Sequence, residues 1–295
     1  MTHQEPRPGV WAKLPITPKA ILGGLLIGMI AANVWPILLL KLGALSAAII
    51  EVVLLGLYFW WFTGAAPGPW QAQRREGGRG GRLSGAQWGW GLLAAACFPV
   101  TVWSAMVLLF RIIPFPAADF HKGYDLSFIP TLPLQWLACV ISALSAGVCE
   151  EMGFRGYMQR PIENRHGPVI AIAISATLFM LLHLNKSWSL MAMTPIVFGA
   201  GVLLGVIARA SGTMVFNTLG HWFMDIGLFA YFWVQIAGTY HQRPISETGL
   251  EPTAFIEAGV FVVVVALLLL ACARLNHLKA NLASAVPEHR PADLA

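Results

Sequence analysis

The chain of 295 residues is 57% hydrophobic and only 11% charged, against roughly 25% charged in an ordinary soluble domain, which excludes a water-soluble globular fold. Apolar stretches of about 20 residues, each long enough to cross a bilayer, recur along its length and leave no room for a sizeable soluble domain. The net charge of +5 is carried mostly by the segments between those stretches, so it reads as membrane topology rather than as nucleic-acid binding.

The pattern predicts an all-α, polytopic transmembrane bundle of about eight spans. Residues 1–19, with four prolines and Arg7, Lys13 and Lys19, read as a cytoplasmic tail. No small-residue cleavage site follows the first apolar segment, so it is expected to be a retained anchor. The N-terminal helices 1–3 fill residues 20–130, with spans expected near 20–40, 43–63 and 88–113 and a minimal turn at Lys41, Leu42 and Gly43. Glu51 falls in the second span and is expected to be capped by a neighbouring helix or a buried water. Residues 64–87 carry Arg74, Arg75, Arg79 and Arg82 among Gly and Pro and predict a flexible basic loop on lipid headgroups.

Helices 4–7 occupy residues 131–237. The fourth is expected from about 132 to 163, ended by Asn164, Arg165, His166, Gly167 and Pro168. The fifth is expected over 168–184, the sixth over 190–208 with a kink at Pro195, and the seventh over 213–237. A polar loop and the eighth helix (254–274) make up residues 238–275, and a cytoplasmic tail closes the chain at 276–295. With the N-terminus inside, fourteen Lys and Arg fall on the inner segments and five on the outer ones. That asymmetry places both termini in the cytoplasm, in the plasma membrane if the cell is bacterial.

Three polar clusters interrupt the second half. Glu150, Glu151 and Arg155 lie on the fourth helix, where Glu151 and Arg155 are i and i+4, the favoured order for a pair. Glu150 is turned about 100° away and stays free for other partners. Phe179 and His183 share a face of the fifth helix, and His221 and Asp225 a face of the seventh. Ionisable groups at membrane depth cost at least about 2.5–3.5 kcal/mol each on insertion scales and usually face the bundle interior. Glu150, His183, His221 and Asp225 are therefore expected to meet in a cavity between helices 4, 5 and 7. For the depths to agree, the fifth helix must end within or just above that site. A carboxylate so placed can act as general base on a water, with histidines orienting it or stabilising an oxyanion. Alternatively, Glu150, His183 and His221 could ligate a metal such as zinc, although no H-E-x-x-H occurs. The glutamate route needs no cofactor. Ser142, Ser145 and Ser175 lack a G-x-S-x-G context, and Cys97, Cys139, Cys149 and Cys272 form no C-x-x-C.

In this order, Glu150-Glu151-x-x-x-Arg155, Phe179-x-x-x-His183 and His221-x-x-x-Asp225 resemble the motifs of the CPBP family of intramembrane proteases. That family includes type II CAAX prenyl proteases and bacteriocin-processing or immunity proteins. The resemblance covers residues 133–237 and implies an endopeptidase in which Glu150 activates the water. His183 would orient the water or shuttle its proton, and His221 and Asp225 would stabilise the oxyanion. Glu151, Arg155 and Phe179 would give structural support. Asp225 stands where the prenyl proteases usually carry Asn, and as an ionised acceptor it would serve His221 as readily as an oxyanion. The implied partners are the lipid bilayer and a membrane-associated protein or peptide substrate, prenylated or leader-bearing, and not nucleic acid. A non-catalytic immunity or scaffold protein, or a proton-coupled transporter using the same buried groups, is the alternative from another class.

Overall fold

The structure is a computed structural model that describes residues 14–80, 83–115, 126–184, 192–232 and 243–284. Its first helix, α1 (Ile16–Ala32), runs almost without a break into α2 (Val34–Leu42). At the joint Asn33 turns its own amide back onto the Met29 carbonyl at 2.6 Å. Gly43, at φ +74°, makes the expected tight turn into α3 (Ala44–Phe62), because a residue with a side chain is strained there. A short helix, α4 (Gln71–Gly77), precedes the long α5 (Gly85–Ile112), which Ser84 and Gln87 start with a reciprocal capping box.

The fourth apolar segment is helical throughout but not uniformly α. Helix α6 (Leu132–Glu151) passes into a π-helical segment, Met152–Met158, before α7 (Gln159–His166) completes the rod. Gly167, at φ +82°, and Pro168 in the first turn of α8 (Pro168–Leu182) make the break expected there. Helix α9 (Thr194–Ser211), α10 (Val215–Phe232), the single turn α11 (Ile245–Thr248) and α12 (Pro252–Ser284) complete the chain.

The apolar helices follow the expected order, but the count of eight spans is not established. Among the described residues, six segments are long and apolar enough to cross a membrane: Ile16–Leu42, Ala44–Phe62, Gly85–Ile112, Leu132–His166, Thr194–Ser211 and Pro252–Asn281. Helix α8, with 15 residues, is shorter. Helix α10 falls outside because Asn217, Thr218, His221 and Asp225 dilute its hydropathy. The lipid-facing character of the rest is plain on α3 and α12, where Ile49, Leu57, Val262 and Val263 are exposed. No strand occurs among the described residues.

Three expectations change. Pro195 does not kink a helix; it lies in the first turn of α9, where its missing N–H has no partner to lose. The last helix extends beyond residue 274 to Ser284. Most of the basic loop is ordered rather than flexible. Arg74 donates to the carbonyls of Trp61 (2.6 Å), Ala66 (2.9 Å) and Pro69 (3.2 Å) and stacks on the Trp61 ring. Arg79 is 4% exposed and donates to Glu163 Oε2 at 2.8 Å. Burial pushes the Arg79 guanidinium below its usual pKa while Glu163 pulls it back up. Arg74 thus closes its own loop, and Arg79 bolts that loop to distant parts of the chain. The part of the loop at 81–82, including Arg82, and the loop residues 116–125 lie outside the described set.

One helix contact positions the site. Gly24 and Gly28 of α1 lie against Gly153 in the π segment, backbone to backbone. A Cβ added at Gly24 would come within 2.6 Å of the Gly153 carbonyl, and one at Gly153 within 2.5 Å of the Gly24 carbonyl. Small residues four apart let membrane helices approach this closely. Elsewhere α5, α9, α10 and α12 enclose the largest apolar core, built on Phe98, Leu204, Ile207, Phe216 and Leu268.

Candidate active site

The two carboxylates end α6, where the chain turns π-helical. A π segment leaves local carbonyls without their usual partners and often marks functional sites. Here two of those carbonyls are taken from outside. Ser175 of α8 donates to the Phe154 carbonyl at 3.1 Å, and Arg79 Nε to the Arg155 carbonyl at 3.0 Å.

Glu151 and Arg155 are fully buried. Arg155 Nη1 donates to Glu151 Oε1 at 2.9 Å and Nη2 to the Gly201 carbonyl of α9 at 3.3 Å. The Arg155 guanidinium also lies 4.5 Å from the centre of the Phe179 ring. The expected pair is therefore present, but Glu151 does more than hold Arg155. Its Oε1 also receives His221 Nδ1 at 2.9 Å, and its Oε2 receives Asn217 Nδ2 at 3.3 Å. His221 was expected to meet Glu150 and Asp225 in the cavity; it is also anchored by Glu151 through one ring nitrogen. The other nitrogen, Nε2, lies 3.4 Å from Asp225 Oδ2 and 4.0 Å from Glu150 Oε2.

The anchors also decide where the imidazole protons sit. Glu151 Oε1 already accepts from Arg155, so His221 meets it as a donor and carries a proton on Nδ1. His183 Nδ1 lies 2.7 Å from the Phe179 carbonyl, which can only accept, so that nitrogen too carries a proton. Its Nε2 is left to the cavity. Helix α8 ends at Leu182 with His183 as its C-cap, which meets the requirement that the fifth helix stop at the site. The Phe179 ring lies tilted at 4.6 Å from His183 and edge-on at 6.0 Å from His221, so it fills the space between them.

Glu150, His183, His221, Asp225 and Phe179 all line one cavity of about 470 Å³. Its walls come from α2, α5, α6, α8, α9 and α10. Ser142 and Ser145 line it too, and Ser145 donates to Glu51 Oε1 at 2.7 Å, the cap expected for that carboxylate. The four cysteines are free and buried. Among the described residues no three His, Cys, Asp or Glu side chains stand close enough to hold a metal ion. Glu150, His183 and His221 line the same cavity.

Asn217 was missed from the sequence. It lies one turn before His221 on the same face of α10, donates to the Leu204 carbonyl at 2.6 Å as well as to Glu151, and ties α9 to the site. The same i, i+4 spacing that picked out Asp225 would have found it.

Residues 132–227 match the family model described as Type II CAAX prenyl endopeptidase Rce1-like. Over these residues the chain resembles the CPBP family of intramembrane proteases. The match spans α6 to α10 and contains all seven residues of the three motifs. No curated protein and no solved structure matches the chain significantly. The similarity supports an intramembrane endopeptidase of the CAAX type in general, a class that acts on membrane-associated proteins or peptides.

Proposed function

We propose that the protein hydrolyses a peptide bond of a membrane-associated substrate with a water activated by Glu150, without a metal. The observation that carries this reading is the division of the two carboxylates. Glu151 is committed to Arg155, His221 and Asn217, whereas Glu150 lines the cavity beside both histidines.

The chemistry follows from the donors present. His183 Nε2 accepts a hydrogen bond from the water and orients it. Glu150 takes the other proton as the oxygen attacks the scissile carbonyl carbon. The carbonyl oxygen becomes an oxyanion and accepts from His221 when Nε2 is protonated, while Nδ1–H stays on Glu151. The C–N bond then breaks, and Glu150 passes the proton to the leaving amine. Asp225, 3.4 Å from His221 Nε2, holds that ring in place; as an acceptor it supports His221 rather than the oxyanion. A general base of this kind contributes about 10²–10⁴-fold to the rate.

The test compares the termini of membrane proteins from cells carrying the wild-type chain and the Glu150→Gln chain. New termini present only with the wild type support the reading and name the substrate and bond. The same termini in both cells would overturn it. Purified protein acting on that substrate should keep its rate in excess EDTA, whereas loss on chelation and recovery with zinc would contradict the metal-free route. A scaffold or transporter role would leave the termini unchanged in all cases.

A further inference from the structure

We propose that the protein binds a phosphate-bearing anion in a second cavity, between the loop after α3 and the N-terminus of α10. This cavity shares no lining residue with the one that holds Glu150, and its use requires no cleavage activity.

The cavity has a volume of about 240 Å³ and is walled by Arg75, Arg79 and Gly80 of the loop and by Thr213, Met214 and Val215 leading into α10. Pockets that enclose a drug-sized ligand run to about 300–1,000 Å³, so this one suits a single small group.

The side chains around it carry more positive charge than the chain itself balances. Arg79, Arg160, Arg209 and Lys279 lie within electrostatic reach of one another, and Glu163 is the only carboxylate in that cluster among the described residues. Both Glu163 oxygens are already taken, Oε2 by Arg79 at 2.8 Å and Oε1 by Arg209 at 2.6 Å. Glu76, next to Arg75 in sequence, accepts from Asn164 at 2.8 Å. Arg75 adds a further cation: it is exposed, lines the cavity and forms no ion pair among the described residues.

Unspent donors line the same space. Arg79 is buried and gives one N–H each to the Arg155 carbonyl, the Ala208 carbonyl and Glu163. A guanidinium has five N–H donors, so both Nη atoms keep one for a ligand. Thr213 is also buried; its Oγ1 accepts from the Val215 amide at 3.3 Å, which leaves the hydroxyl proton to donate. Helix α10 begins at Val215, so its first-turn N–H groups lack intrahelical partners and its dipole favours negative charge there. Forked arginine donors around a helix N-terminus match the several oxygens of a phosphate.

The surroundings put this site at the depth where phosphate abounds. Trp60, Trp61 and Trp70, at the end of α3 and in the loop, are exposed, and such tryptophans mark the headgroup level of a bilayer. A lipid headgroup and free phosphate supply the same chemistry. Either would neutralise the cluster, tie the loop to α10 and stabilise the folded chain by mass action.

The test is thermal unfolding of the purified full-length protein in detergent, titrated with phosphatidylglycerol, phosphatidylcholine or inorganic phosphate. Phosphatidylglycerol should raise the wild-type unfolding temperature, and phosphatidylcholine, whose choline balances its phosphate, should not. Arg75→Ala should unfold like the wild type without additive and need about tenfold more phosphatidylglycerol for the same rise, the loss of one hydrogen bond to a charged group. Arg165→Ala, which removes an exposed arginine outside the cavity, should respond as the wild type does. A rise with inorganic phosphate that Arg75→Ala loses supports the site with free phosphate as its ligand. No rise with either anion, an equal rise with phosphatidylcholine, or the same response in Arg75→Ala and Arg165→Ala would overturn the proposal.

Discussion

Glu150 and Glu151 are adjacent and chemically identical, yet their surroundings give substitution opposite consequences. Glu151→Gln removes the charge that balances a fully buried Arg155, and breaking a buried pair costs about 3–5 kcal/mol. That variant should therefore unfold at a clearly lower temperature in detergent as well as lose cleavage. Glu150 has no such partner, so Glu150→Gln should unfold like the wild type. Asp225 divides similarly: Asp225→Asn can still accept from His221 and should keep most activity, whereas Asp225→Ala should lose it and shift the pH profile of cleavage. An Asn variant as inactive as the Ala variant would assign Asp225 a role that needs its charge. At this scale the sequence was legible wherever partners lie four residues apart, as for Glu151 with Arg155 and His221 with Asp225. It was silent on His221 with Glu151, 70 residues apart, because helix spacing says nothing about which helices meet.

At the scale of elements, the catalytic rod is held by a close approach of α1. Gly24→Ala would put a methyl group 2.6 Å from the Gly153 carbonyl and 2.7 Å from Met158 Cβ, whereas at Gly23 nothing lies within 4 Å. Overpacking of this kind costs typically about 1–3 kcal/mol. Gly24→Ala should thus lower both thermal stability and cleavage, with Gly23→Ala unchanged; equal behaviour of the two would mean that α1 does not position the rod. The order of the helices could be read from hydropathy, and the break at Gly167 and Pro168 from the special backbone of those residues. The π segment could not, because its released carbonyls are satisfied by Arg79 and Ser175, which nothing local to residues 152–158 announces. The basic loop was misread for the same reason: Arg74 and Arg79 look like solvated charges until Trp61 and Glu163 are brought to them.

For the whole molecule, one buried polar network joins segments far apart in sequence. The network of Arg79, Glu163, Arg209 and Lys279 ties the loop after α3 to α7, α9 and α12. Arg79→Ala leaves the Arg155 carbonyl without the Arg79 donor, and a buried group so orphaned costs about 1–3 kcal/mol. Proteolysis of that loop in detergent should accelerate in the variant, and an unchanged rate would show that the loop is not held by Arg79. The central claim concerns Glu150, and the direct measurement pairs thermal unfolding with cleavage of the identified substrate for purified wild-type and Glu150→Gln protein. The account predicts the same unfolding temperature and cleavage lower by about 10²-fold or more. A folded Glu150→Gln protein that cuts the same bond at the wild-type rate would contradict it.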